Sequence, residues 1–341
     1  MKYSFIVPVY NRPDEVAELL ESLAALGRKN DFEVIVVEDG SAVPCQQVCR
    51  RYEESLNISY LQKANSGPGQ SRNYGAERAA GQYLVILDSD VVVPPGYLDA
   101  LDRELADDPC DAFGGPDAAH PSFTPVQKAI SYAMTSFFTT GGIRGGKGKR
   151  LDRFFPRSFN MGVRRDKYLA LGGFSRMRFG EDIDFSYRIV EAGLACRLFP
   201  DAWVWHKRRT DLRKFYRQVY NSGIARINLE KRHPGTMKLV HTLPALFALG
   251  LTLTPLAALG CILAAAPWWL TLATLAPVTL YSLAILCDAT TKNHSLHVGL
   301  LAVPAAFTQL CGYGFGFIEA FWRRVILRQD EFQAFSQTFY K

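Results

Sequence analysis

Charge is missing from one long part of this 341-residue chain: from Leu243 to Cys287 there is no Asp, Glu, Lys or Arg. So long an uncharged run excludes a solvated surface domain and is rare even in the core of a soluble fold. Cysteine is thinly spread. Three of the seven lie in the apolar C-terminal part, and the close pair Cys45 and Cys49 has no second pair to complete a zinc framework. That usage fits a reducing, cytosolic setting for the soluble part. A large charge excess is absent as well. The net charge of +6 does not argue for nucleic acid, and the basic tracts at 144–153 and 207–213 suit lipid headgroups or a diphosphate instead. The opening MKYSFIVPVYNRP does not read as a secretory signal, because its apolar stretch is too short and runs into a polar turn.

What is present before Lys238 is a regular alternation. Tyr3–Pro8, Glu33–Val37, Ile58–Leu61 and Tyr83–Leu87 are short apolar, β-branched runs, which predict buried strands of a parallel sheet. Helical patterns lie between them, over Asp14–Leu26, about Pro44–Ser55, and Gln70–Ala80. The alternation predicts an open, Rossmann-like α/β sheet with right-handed crossovers. Ligands of such sheets bind beyond the carboxyl ends of the strands. Asn11, Glu38, Asp39, Asp88 and Asp90 stand at those ends. The glycine- and aromatic-rich region Asp111–Phe159 is less regular, and its GGIRGGKGKR at 141–150 holds no fixed helix. A helix is predicted to start near Glu181 and stop at Gly193, with Ile183, Phe185, Ile189 and Val190 as apolar positions. A strand over Ala195–Phe199, the run VWHKRRT and a basic amphipathic stretch Leu212–Arg232 follow.

Three apolar stretches close the chain: Thr242–Ala265, Pro267–Cys287 and Leu296–Phe321. Each reaches the length of about 20 residues that a transmembrane helix needs. The third holds His297, Gln309, Glu319 and a cluster of Gly312, Gly314 and Gly316, and reads as re-entrant or interfacial. The expected division is a catalytic domain over 1–235, a membrane-associated helical region over 236–322 and a short tail over 323–341.

LDSD at 87–90 is the central motif. Two carboxylates at i and i+2, just past a buried strand, can converge on one divalent cation and the ribose beside it. Oxygen ligands of this kind suit Mg²⁺ or Mn²⁺. GPG at 67–69 is not a dinucleotide fingerprint, because Arg72 stands where the last glycine of G-x-G-x-x-G belongs. Arg72 is open to two readings, a donor contact or a structural ion pair. Gly180-Glu181-Asp182 opens the later helix, and there Asp182 is either a helix cap or a base. Asp184 and Arg188 are spaced to pair along that helix. His206 ends the run DAWVWH, where a lone histidine is usually structural.

In chain order, PVYN at 8–11, VVEDGS at 36–41, GPGQSRNYGAERAAGQY at 67–83, LDSD at 87–90 and FGEDIDFSYR at 179–188 resemble the family 2 glycosyltransferases, over about residues 3–225. The resemblance implies the GT-A fold, a nucleotide-sugar donor, a divalent metal (Mn or Mg) and inversion at the anomeric centre. It implies that Pro8, Tyr10, Asn11, Glu38, Asp39, Arg72 and Asp88 line the donor site, Asp39 at the nucleobase and Asp88 near the ribose. It implies Asp90, Asp88 and His206 as metal ligands, Asp182 as the base that takes the acceptor's proton, and Glu181 as a residue orienting the acceptor or the base. The usual pair after the second strand is Asp-Asp. Glu38 departs from it and leaves Asp39 in place.

The expectation is therefore an inverting sugar transferase at the cytoplasmic face of a bacterial inner membrane. Its acceptor is the hydroxyl of a lipid-linked or cell-surface glycan. The Q-x-x-R-W motif of processive synthases is missing, which points to one sugar per acceptor. A polyprenyl-phosphate sugar transferase is the rival among enzymes, although a phosphate acceptor needs little help from a base. A non-catalytic membrane scaffold on a decayed transferase fold is the rival from another class, and the intact Asp39, Asp88, Asp90 and Asp182 speak against it. Lys231, Arg232 and Lys238 precede the apolar stretches, and Arg323, Arg324 and Arg328 follow them. Positive residues prefer the cytoplasmic side. The expectation is thus two crossings, a hairpin turning at Ala266-Pro267-Trp268, with the third stretch re-entrant or in the membrane plane.

Overall fold

A computed structural model describes residues 1–141, 154–177 and 179–335. The basic tract expected at 144–153 and the end of the tail lie outside the described residues. The first half of the chain runs β1 (Tyr3–Val9), α1 (Pro13–Ala24), β2 (Phe32–Asp39), α2 (Gln46–Arg50), β3 (Ile58–Lys63), α3 (Pro68–Arg78), β4 (Tyr83–Leu87), β5 (Val91–Val92), α4 (Tyr97–Asp107), β6 (Ala112–Gly114), β7 (Asp117–Ala118), α5 (Pro125–Thr135), α6 (Phe137–Thr140) and β8 (Asn160–Arg164). The second half runs α7 (Arg165–Ala170), α8 (Glu181–Glu191), β9 (Cys196–Leu198), β10 (Val204–His206), α9 (Leu212–Arg232), α10 (Leu243–Leu263), α11 (Trp268–Asn293) and α12 (Leu296–Ala320).

The chain forms two compact units, Met1–His120 with Lys147–Lys207, and Pro121–Gly146 with Arg208–Lys341. α5 and α9 belong with the apolar helices because Ile130, Phe215 and Val219 are buried beside Ile285 and Ala302.

The first unit is built on a sheet of order β3-β2-β1-β4-β8-β6-β9. β3, β2, β1 and β4 are parallel, as their apolar runs predict. β8 is antiparallel to both β4 and β6, so the sheet is mixed rather than wholly parallel. Side chains alternate between the faces, and both faces are covered. Phe5, Val7, Val34, Val36 and Val85 pack with Leu19 and Leu23 of α1 and Leu101 of α4. Ile6, Ile35, Val37 and Ile86 pack with Ala76 of α3 and Phe185 and Ile189 of α8. A smaller sheet of order β5-β10-β7 lies in the same unit. Its β10 pairs His206 with Val91 in an antiparallel register.

In the second unit α12 is the hub, packed by α5, α9, α10 and α11. The glycine cluster is its contact ridge. A Cβ added at Gly316 would lie 2.0 Å from the Tyr220 carbonyl oxygen, and one at Gly223 would lie 2.1 Å from that of Tyr313. Small residues at this spacing let two helix backbones meet. α10 and α11 instead expose Leu253, Leu256, Trp268, Leu272 and Leu280. Among the described residues, three helices of this unit are long and apolar enough to cross a membrane.

The ridge makes a prediction. Gly316→Val should destabilise the protein by about 1–3 kcal/mol, the usual cost of overpacking, and lower the thermal unfolding midpoint in detergent. Gly250→Ala meets open space and should leave the midpoint unchanged or slightly higher. Equal midpoints for Gly316→Val and the wild type would show that the close helix contact is not formed.

Candidate active site

β4 ends at Leu87, and Asp88 and Asp90 follow it on either side of Ser89. The antiparallel pairing of β5 with β10 brings His206 to them. The Lys207 amide donates to the Asp90 carbonyl at 3.0 Å, and His206 Nε2 lies 3.2 Å from Asp90 Oδ1. Ligand atoms of Asp88, Asp90 and His206 all fall within 4.8 Å of one another. Two carboxylates and an imidazole are a donor set that fits a divalent cation. The His206 ring is held by its surroundings, stacked on Phe159 with centroids 5.0 Å apart and with Nδ1 3.6 Å from Asp117 Oδ2. Arg12 Nη1 reaches Asp90 Oδ2 at 3.1 Å.

Arg72, in the first turns of α3, is buried. Its Nη2 donates to Asp88 at 2.6 Å and its Nη1 to Glu181 at 3.0 Å. Its guanidinium lies 5.2 Å from the centroid of the Phe174 ring. Arg72 thus forms an ion pair that ties the end of β4 to the start of α8. Burial pushes the Glu181 carboxyl above the ordinary carboxylate range, against the opposing pull of Arg72. The cap of α8 is Gly180, at φ 85°, so Asp182 does not cap the helix. Asp182 sits in the first turn, where the helix dipole favours negative charge. One of its oxygens accepts from the Ile183 amide at 2.9 Å, and the other lies 3.5 Å from Arg157 Nη1. Asp184 and Arg188 pair at 3.0 Å.

The remaining residues expected at the donor site lie at the ends of β1 and β2. Asp39 accepts from Lys63 at 2.5 Å and from the Ser66 and Gly67 amides, each at 2.9 Å. It thereby shapes the loop that opens α3. Glu38 points to the opposite face, where it accepts from Ser41, from the Cys45 amide at 2.7 Å and from the Tyr60 hydroxyl at 3.1 Å. Asn11 has φ 55°, a left-handed conformation that asparagine tolerates. Its side-chain oxygen accepts from the Ala42 and Val43 amides at 2.7 and 3.0 Å. Pro8 lies in β1 opposite Val37, and Tyr10 follows the strand half-buried. The sequence reading missed Arg12, Asp117, Arg157 and Phe159. Only Arg12 carried a signal, as the residue directly after PVYN. Of the basic run after β10, Lys207 pairs with Glu18 at 2.6 Å.

The Arg72 bridge makes a second prediction. Arg72→Met keeps much of the side chain's bulk and leaves two carboxylates without their shared cation. Removing one partner of a buried ion pair should cost about 3–5 kcal/mol, read by denaturant unfolding. Arg72→Lys should lose less. A fully stable Arg72→Met protein would show that the bridge does not hold the site together.

Residues 4–170 match the model of glycosyl transferase family 2. The chain is similar to TarS of Staphylococcus aureus, a poly(ribitol-phosphate) β-N-acetylglucosaminyltransferase. The two are 41% identical over 93 residues, which are 26% of this chain and 16% of TarS. It is also similar to a pre-mycofactocin glycosyltransferase of Mycobacterium tuberculosis, 30% identical over 231 residues, 67% of this chain and 47% of that protein. The chain thus spans less than half the length of these curated relatives. Among solved structures, a mannosyltransferase from Pyrobaculum calidifontis in complex with GDP-Man and Mn²⁺ has the same fold, with a TM-score of 0.57 at 17% identity over 95% of this chain and 88% of that one. The chain thus matches glycosyl transferase family 2 over residues 4–170, a range that holds the acids at the ends of β2 and β4.

Proposed function

We propose that this protein transfers a sugar, with inversion, from a nucleotide-sugar donor to a hydroxyl of a lipid-linked or cell-surface glycan, using a divalent cation held by Asp88, Asp90 and His206. The observation that carries this reading is the convergence of those three ligands at the end of β4, tied through Arg72 to the start of α8, where Asp182 lies. A cation bound there would neutralise the diphosphate of the departing nucleotide. The imidazole in the set favours Mn²⁺ over the harder Mg²⁺. Asp182 takes the acceptor proton as the hydroxyl attacks, with Arg157 steadying the carboxylate. Glu181 is engaged by Arg72, so it positions the first turn of α8 rather than moving a proton. Asp39, Lys63 and the amides of Ser66 and Gly67 form the edge that meets the nucleobase. Similar proteins named as transferases of mannose or N-acetylglucosamine support a nucleotide-sugar donor.

The apolar helices attach the protein to a bacterial inner membrane, with the catalytic unit on the cytoplasmic side, where nucleotide sugars are made. The exposed leucines of α10 and α11 and the basic residues flanking the apolar region support this. They also support two crossings by the α10–α11 hairpin, with α12 held against its neighbours. A reporter fused between Asp288 and His294 tests this topology. A reporter found outside the cytoplasm would overturn it.

Transfer from a panel of UDP-, GDP- and dTDP-sugars, with and without Mn²⁺, tests the function. One donor should turn over, and EDTA should stop it. Asp90→Ala should abolish transfer and remove the metal's effect on nucleotide affinity. If that variant keeps metal-enhanced binding and turnover, the cation site lies elsewhere. Asp182→Asn should leave donor affinity nearly intact and slow turnover by about 10²-fold or more, the range for losing a general base. A parallel loss of affinity and rate would mark Asp182 as structural instead.

A further inference from the structure

Pro125–Thr140 has no part in the chemistry proposed above, and none of the three apolar stretches includes it. α5 starts on a capping box formed by Thr124 and Gln127, ends at Thr135, turns at Ser136 and continues as α6. No charged residue occurs between Lys128 and Arg144. Such a run is too short to span a bilayer, which takes about 20 residues, and suits a segment that enters one and turns.

The packing fixes its depth. Ala129, Ile130 and Ala133 are buried with Ala302 and Ala306 of α12 and Ile285 of α11. The Tyr132 hydroxyl donates to the Asp288 carboxylate at 2.7 Å. Further along, the Tyr281 hydroxyl donates to the Phe138 carbonyl at 2.8 Å. Asp288 is the first charged residue of α11. Tyr281 precedes it by two helical turns, about 10 Å along the axis, inside the uncharged run. From Tyr132 to Phe138 the segment therefore runs from the charged end of α11 toward its apolar middle. At that level Phe137 is 72% exposed and Phe138 40% exposed. The polar groups of the turn close on one another. Ser136 Oγ accepts from the Phe138 amide at 3.2 Å, and the Thr139 and Thr140 hydroxyls donate to the Ala133 and Ser136 carbonyls at 2.5 and 2.9 Å. A turn in hydrocarbon needs such internal pairing, because lipid offers no hydrogen bonds.

We infer that Pro125–Thr140 is a re-entrant membrane element whose tip, Phe137 and Phe138, is seated among the acyl chains of the bilayer. The inference rests on the membrane attachment proposed above, since α11 sets the depth. The test uses the full chain in vesicles of phosphatidylethanolamine and phosphatidylglycerol, with p-benzoylphenylalanine replacing one residue at a time. The positions are Phe137, Leu256 on the exposed side of α10, and Val43 in the first unit. After illumination, intact mass should show phospholipid adducts at 137 and 256 and none at 43. Adducts at 256 without any at 137 would overturn the inference and leave membrane attachment standing. Crosslinks from 137 to a second copy of the chain would also overturn it. Absence of adducts at both 137 and 256 would remove the membrane reading itself, and this inference with it.

Discussion

An arginine guanidinium cannot shed its proton to escape burial, so Arg72 can sit inside this protein only where carboxylates meet it. Asp88 and Glu181 do so, at 2.6 and 3.0 Å, and the ring of Phe174 covers one side. The two acids stand on segments far apart in sequence, one closing β4 and one opening α8. Their common cation fixes the distance between the carboxylates after β4 and the first turn of α8. It also restrains Asp88 before any ligand arrives, because one of its oxygens is already engaged. The site is thus largely preorganised, and positioning of that kind is where much of an enzyme's rate enhancement originates.

A second restraint acts on His206. The three-residue strand that carries it pairs with a strand of only two residues following Asp90, and so short a ladder has little stability of its own. Stacking on Phe159 and the approach of Asp117 add what the ladder lacks. The ring of His206 is thereby held in one orientation, which a histidine must have to act as a ligand.

The parts legible in the sequence were those with a period or a motif behind them. β1 to β4 were predicted nearly residue for residue because strands buried on both faces read as continuous apolar runs. α8, α9 and the three long apolar helices were legible from spacing and from the absence of charge. β6, β7 and β8 were not, since three residues such as Ala112-Phe113-Gly114 carry no periodic signal, and β8 owes its strand state to neighbours on both sides. Asp90 and Asp182 were legible as motif members. The neighbours of His206 were not, because Asp117 and Phe159 reach it only through strand pairing and stacking. α5 was not legible either, because it lies in the irregular glycine- and aromatic-rich region and shows its buried face only against α12.

The acidic doublet at the end of β2 shows how a fold assigns different tasks to adjacent letters. Successive side chains of a strand point to opposite faces, so Glu38 and Asp39 never share an environment. Glu38 gathers the loop before α2 through Ser41, the Cys45 amide and Tyr60, while Asp39 shapes the opening of α3. A glutamate in the first place, one methylene longer than aspartate, lengthens the latch on that loop. Substitutions at 38 are therefore answered by order in the loop before α2 and those at 39 by order in the loop that opens α3. A designer reshaping one of these loops can change one letter of the pair and leave the other loop its latch.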